Sequence, residues 1–166
     1  MNLTSLTLAS TLRTLAMLGV VSGLLLAYHG EREKALFKRT TSAVMQAMDE
    51  QIRSETERTG CLHIPIDDNI NTLVSEGWLE ASIRDNSPWA LDIAYQASRN
   101  SGRVIGKHLT LTAHSSQEAT RLNELAQTVI GSWQFQGRTL KILEVVKGPT
   151  DVSRMEFDPA TACFAW

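Results

Sequence analysis

The distribution of apolar and polar positions divides this chain into three stretches. In the first, no charged residue occurs from Thr14 through Gly30, and residues 14 to 28, TLAMLGVVSGLLLAY, are almost wholly apolar. Arg13 is the one charge in the first 30 residues. A membrane span needs about 20 apolar residues, with a lower limit near 17. Arg13 can extend its stem to a headgroup, and Tyr28 suits the opposite interface. The pattern therefore predicts a single-pass membrane-anchor helix over residues 1–30. A cleaved signal peptide and a buried core helix are the alternatives. Against the signal peptide, the N-terminal region has no Lys and the exit AYHGEREK offers no A-x-A-like site. Gly19, Gly23 and Ala27 form a row of small residues at a spacing of four, which lets helices approach closely in a bilayer.

The second stretch, residues 31–60, continues as an amphipathic helix. EREKALFKRTTSAVMQAMDEQIRSETER contains neither Gly nor Pro and is rich in helix formers. Val44, Ala47, Met48 and Ile52 fall at spacings of three and four, so one face is apolar. Thr59-Gly60 supplies the stop. If anchor and amphipathic part are one helix from Leu12 to Arg58, it is roughly 70 Å long, with Gly30 the place for a bend. The heptad pattern is too short to favour a coiled coil.

The third stretch, residues 61–166, mixes short periods. DDNINTLVSEGWL predicts a short helix capped by Asp67 or Asp68, with Ile70, Leu73 and Val74 on one face. Trp78 and Trp89 flank the turn NSP at 86 to 88, and Trp89 to Tyr95 is a strand candidate. Trp78, Trp89 and Tyr95 are the expected aromatic core. RNSG at 99 to 102 is a turn, and residues 104 to 113 alternate as a strand. A helix follows, capped by Ser115 or Ser116 with Glu118 in support. Ala119, Leu122, Leu125, Ala126 and Val129 make its apolar face, and Gly131 is its expected end. Two strands should flank Gly137-Arg138. The tail carries Cys163, Phe164 and Trp166, apolar enough to pack. The fold class is α+β: a long N-terminal helix packed on a small antiparallel sheet, with short helices.

Composition narrows the function. The 166 residues carry 16 basic and 18 acidic side chains, a net of −2, which gives no basic face for nucleic acid. The four histidines, His29, His63, His108 and His114, are not paired at metal-ligand spacing, and no G-x-S-x-G, P-loop or G-x-G-x-x-G occurs. Asp67-Asp68-Asn69 lacks the spacing of a calcium loop and reads as helix capping. The expectation is a protein that is not an enzyme, with no metal, no cofactor and no small-molecule substrate. Cys61 and Cys163 are the only cysteines. In an exported domain they would close a large loop, which the chain-entropy account values at about 4 to 5 kcal/mol. Otherwise they are two buried thiols.

An apolar helix running into an amphipathic helix, then a sheet and a C-terminal cysteine, resembles type IV pilins and type II secretion pseudopilins. LVSEGWL…SPWALDIAY is similar to their short helix, Gly-aromatic-Leu and Pro-Trp strand opening. HLTLTAHSSQEATRLNELAQTVIGSWQFQGRTLKILEV is similar to the C-terminal halves of minor pilins. The resemblance implies a structural subunit of the inner membrane, with the globular domain in the periplasm or in an extracellular filament. Its partners would be the bilayer and other pilin-like subunits or assembly proteins. This chain departs from the family in lacking a short basic leader ending in Gly and followed by an apolar helix with Glu at its fifth position. Arg32, Lys34, Lys38 and Arg39 follow the apolar run, and the positive-inside rule alone places what comes after them in the cytoplasm. The resemblance and the two cysteines place it outside.

Overall fold

Helix α1 runs from Leu3 to Thr59 in the computed structural model, which describes residues 3–63, 68–129, 131–146, 156–158 and 160–165. The chain divides into two compact units, Met1–Phe37 and Lys38–Trp166. In the first, α1 carries through Gly30, the position the sequence offers for a bend, and Met17 and Tyr28 are exposed. The small-residue row Gly19, Gly23 and Ala27 lies outside the described side chains. No helix among the described residues is long and apolar enough to cross a membrane. The anchor expectation for residues 1–30 therefore rests on the sequence alone.

The second unit is α+β. Strands β1 (Ala90–Ala97), β2 (Val104–Thr112), β3 (Ser132–Gln136) and β4 (Thr139–Val145) form one antiparallel sheet in the order β1-β2-β4-β3. Register sorts its residues by face. Leu91, Leu111, Leu140 and Phe135 stand in one cross-strand row, and Ile93, Leu109, Ile142 and Trp133 in the next. Leu109, Leu111 and Leu140 are fully buried. The opposite face presents rows such as Asp92, Thr110, Lys141 and Gln134. One face is therefore dry and one is wet, the usual arrangement of an antiparallel sheet covered on one side.

Residues 38–59 of α1 supply the cover. Val44, Ala47, Met48 and Ile52 are all buried, joined by Thr40, Met45 and Gln51, which the apolar stripe did not include. Gly60 ends the helix at φ +70, its N–H bonded to the Thr56 carbonyl at 2.8 Å. Only glycine takes this left-handed conformation without a Cβ penalty.

The short elements differ from the sequence reading in several places. Helix α2 (Ile70–Ser75) is capped by Asn69, whose side chain accepts from the Asn71 N–H, and not by Asp67 or Asp68. Asp67 itself lies outside the described residues. A further helix, α3 (Ala81–Asp85), has no counterpart in the sequence reading; its five residues are too few to show a period. Helix α4 (Ser116–Ala126) has Ser115 as its cap, and Glu118 accepts from the His114 N–H at 2.9 Å. It stops at Gln127 rather than at Gly131, because Thr128 and Val129 bond back to Leu125 and Ala126 in tighter turns. The two-residue turn Gly137-Arg138 joins β3 to β4, with Gly137 at φ +63. The tail forms a hairpin of β5 (Glu156–Asp158) and β6 (Cys163–Ala165). Trp166 lies outside the described residues.

Candidate functional site

Two constructions in the second unit carry polar chemistry: the seam between α1 and the sheet, and the clasp that joins the end of α1 to the tail. At the seam, Tyr95 of β1 donates its hydroxyl to Gln51 Oε1 at 2.5 Å. Burial pushes the Tyr95 phenol well above its ordinary range, and the carboxylates of Asp49 and Asp68 add to the shift. Beside it, Lys107 of β2 is 1% exposed. Its Nζ donates to the Met45 carbonyl at 2.9 Å and pairs with Asp49 at 2.5 Å and Glu144 at 3.5 Å. Three oxygens offset the cost of drying one ammonium, while both carboxylates stay largely in water. Tyr95, Lys107 and Glu144 share one row of the sheet. The seam thus ties named positions of α1 to named positions of three strands' common row, which apolar contact alone would not specify.

The clasp follows from the turn at Gly60. Cys61 to His63 run extended and meet the tail. Leu62 N–H donates to the Ala162 carbonyl and Phe164 N–H to the Gly60 carbonyl, both at 2.8 Å. Between these bonds Cys61 faces Cys163 as a non-hydrogen-bonded antiparallel pair, where side chains come closest. Their Cα atoms are 3.9 Å apart, and the sulfurs, at 1.97 Å, form a disulfide. On its other side, Leu62 accepts from the Val104 N–H at 2.9 Å, so the segment also borders the start of β2. Ala162 holds φ +57 and is fully buried. Asp158 closes the hairpin by accepting from the Ala160 N–H and the Thr161 hydroxyl, each at 2.9 Å. Those bonds hold its carboxyl below the usual range.

The clasp also brings a histidine to the sulfurs. Cys61 and His63 are two residues apart on an extended segment, so their side chains leave the same side. One donor atom from each of Cys61, His63 and Cys163 lies within 4.8 Å of the others. His63 Nε2 is 3.0 Å from the Thr161 carbonyl. The local trace of this set in the sequence is the C-x-H of CLH, residues 61 to 63. His108 stands elsewhere, on the wet face of the sheet, where partial burial and Lys141 lower its pKa.

Of the expected aromatic core, Trp89 and Tyr95 are buried, at 3% and 8% exposure. Trp78 is corrected: it is half-buried, between α2 and α3, and does not belong to the core. A depression of about 230 Å³ between α4 and the β3–β4 turn is lined by Ser116, Thr120, Asn123, Phe135 and Arg138. Arg138 there donates to the His114 carbonyl at 3.1 Å, and no acid, base and nucleophile converge among these residues. Comparison with known proteins finds no family model, no curated protein and no solved structure that matches this chain.

Proposed function

We propose that this chain is a membrane-anchored structural subunit, pilin-like or pseudopilin-like, of a type IV pilus or type II secretion assembly. The observation that carries the reading is the amphipathic half of α1 lying on one face of an antiparallel sheet, directly after an apolar run of span-like composition. The anchor would hold the inner membrane through residues 1–30, with Gly19, Gly23 and Ala27 allowing close approach to neighbouring subunits' helices. The Cys61–Cys163 bond suits a domain on the oxidising side of that membrane. The dry face of the sheet is occupied by the protein's own helix, which leaves the work to assembly rather than to a deep pocket.

The test is biochemical and genetic. The subunit should co-purify from membranes with pilus or secretion components, and its deletion should reduce piliation or secretion. Normal piliation and secretion in the deletion strain would overturn the proposal.

A second reading is a bitopic accessory or sensor protein whose domain binds a partner protein. The four basic residues Arg32, Lys34, Lys38 and Arg39 favour it, because they follow the apolar run. A C-terminal reporter that registers the cytoplasm selects this reading over the first.

A further inference from the structure

We propose that, once the Cys61–Cys163 bond is reduced, Cys61, His63 and Cys163 form a three-ligand site for a thiophilic cation of the zinc class. The three donors already lie within 4.8 Å of one another. A tetrahedral zinc with ligand bonds of about 2.0 to 2.3 Å holds its donors roughly 3.5 to 3.8 Å apart, so small side-chain rotations suffice. Backbone hydrogen bonds place them alongside the sulfur–sulfur bond. Leu62 donates to Ala162, Phe164 to Gly60 and Val104 to Leu62, at 2.8, 2.8 and 2.9 Å. These bonds keep Cys61 opposite Cys163, and the extended Cys61–His63 segment keeps the imidazole on the same side as both sulfurs.

The histidine is set for ligation. His63 is exposed, so a cation reaches it from solvent. A ring that donates its Nε2–H to the Thr161 carbonyl leaves Nδ1 unprotonated, with a lone pair for the cation. A backbone acceptor on the other ring nitrogen is the usual support for a metal-bound histidine. Three protein ligands leave a fourth position for water or a partner's side chain.

Two states follow, separated by a two-electron step. A dithiol reductant gives two electrons and two protons to the disulfide and closes to its own disulfide, leaving Cys61 and Cys163 as thiols. Cation binding then releases both thiol protons to solvent, so uptake strengthens as pH rises. In the oxidised state the sulfurs are bonded to each other and His63 alone remains. The inference does not rest on the pilin reading. The same three residues give a disulfide on the oxidising side of a membrane and a cation site on the reducing side.

The test uses the full chain in detergent micelles. It is reduced anaerobically with a dithiol, freed of reductant, and titrated with cobalt(II). One equivalent should bind with a thiolate-to-cobalt charge-transfer absorption that zinc(II) then abolishes, while the oxidised protein shows none. His63→Ala keeps both thiols and removes only an exposed ring; it should weaken binding by at least about tenfold, the loss that even an outer-shell partner brings. No charge-transfer band in the reduced, folded protein overturns the proposal. So does equal affinity in the oxidised protein or in His63→Ala. Loss of the fold on reduction overturns it as well, since the ligands then have no scaffold.

Discussion

The four-stranded sheet and the clasp are both antiparallel structures in the same unit, yet they are held together by different means. In the sheet, rows of buried side chains pack under α1, and Leu109, Leu111 and Leu140 are among its fully buried residues. In the clasp, two strands of three residues each pair with little width. Hairpins of that size are marginal in water. What holds this one is a covalent bond, the Asp158 turn and the bonds of Leu62 and Phe164 to neighbouring backbone. The sheet is an area effect, spread over many buried side chains. The clasp is a point effect and depends on a few atoms.

The largest test of that contrast removes the covalent bond. The double variant Cys61→Ser, Cys163→Ser should lose about 4 to 5 kcal/mol of global stability, the entropy of opening a loop of this length. Amide hydrogen exchange locates the effect. The N–H groups of Leu62 and Phe164 should exchange through local opening, well ahead of those of Leu109 and Leu111 in β2. Simultaneous exchange of all four would show that clasp and sheet open as one cooperative unit, and the contrast would fall.

The second test strikes the sheet side. Trp89 stands at the entry to β1, 3% exposed, and its backbone is braced by Ser87, whose hydroxyl donates to the Trp89 carbonyl at 2.8 Å. Trp89→Ala should cost about 3 to 5 kcal/mol, the transfer and cavity terms of a large buried ring. Urea unfolding should show a lower midpoint at unchanged slope, with the disulfide still formed. A variant of unchanged stability that had lost only partner binding would make Trp89 a contact residue and not a core anchor.

Legibility in the sequence follows the same division. Elements that bury a face reveal themselves by period: the α1 stripe from Val44 to Ile52, the alternation of β2, the α4 face from Ala119 to Ala126, and the paired strands about Gly137-Arg138. Elements fixed by single contacts do not. Helices α2 and α3, with six and five residues, span less than two turns. The cap of α2 falls on Asn69, the last of three adjacent polar residues, with extended backbone and a side chain that accepts from the Asn71 N–H. Strands β5 and β6 are too short to alternate visibly. Gln51 and Lys107 are buried because partners await them, and no hydropathy pattern marks them, or the buried Thr40, as interior. Trp78 shows the converse: a large aromatic beside an apolar run need not reach the core. The candidate site was legible only in part, since C-x-H is local but its third member, Cys163, arrives through the fold.

The smallest of the three effects lies at the seam, where the sheet itself relies on a point contact. Tyr95→Phe keeps the ring and removes the hydroxyl that Gln51 accepts from. The expected cost is about 1 to 2 kcal/mol, a buried hydrogen bond lost with the ring retained. The pH dependence identifies the hydroxyl more sharply than the cost. In the folded protein burial raises the phenol's pKa, and Asp49 and Asp68 raise it further. In the unfolded chain it ionises near about pH 10. Below that value both states hold the proton and the phenol's contribution to stability is fully present. Above it the unfolded state ionises first, so the folded state binds more protons and stability falls as pH rises. Wild-type protein should therefore lose stability more steeply above about pH 10 than Tyr95→Phe does, and the two curves should converge as pH rises through the alkaline range. Parallel curves across that range, measured by urea unfolding, would mean that Tyr95 ionises alike in both states and that the seam is as dispersed as the rest of the sheet.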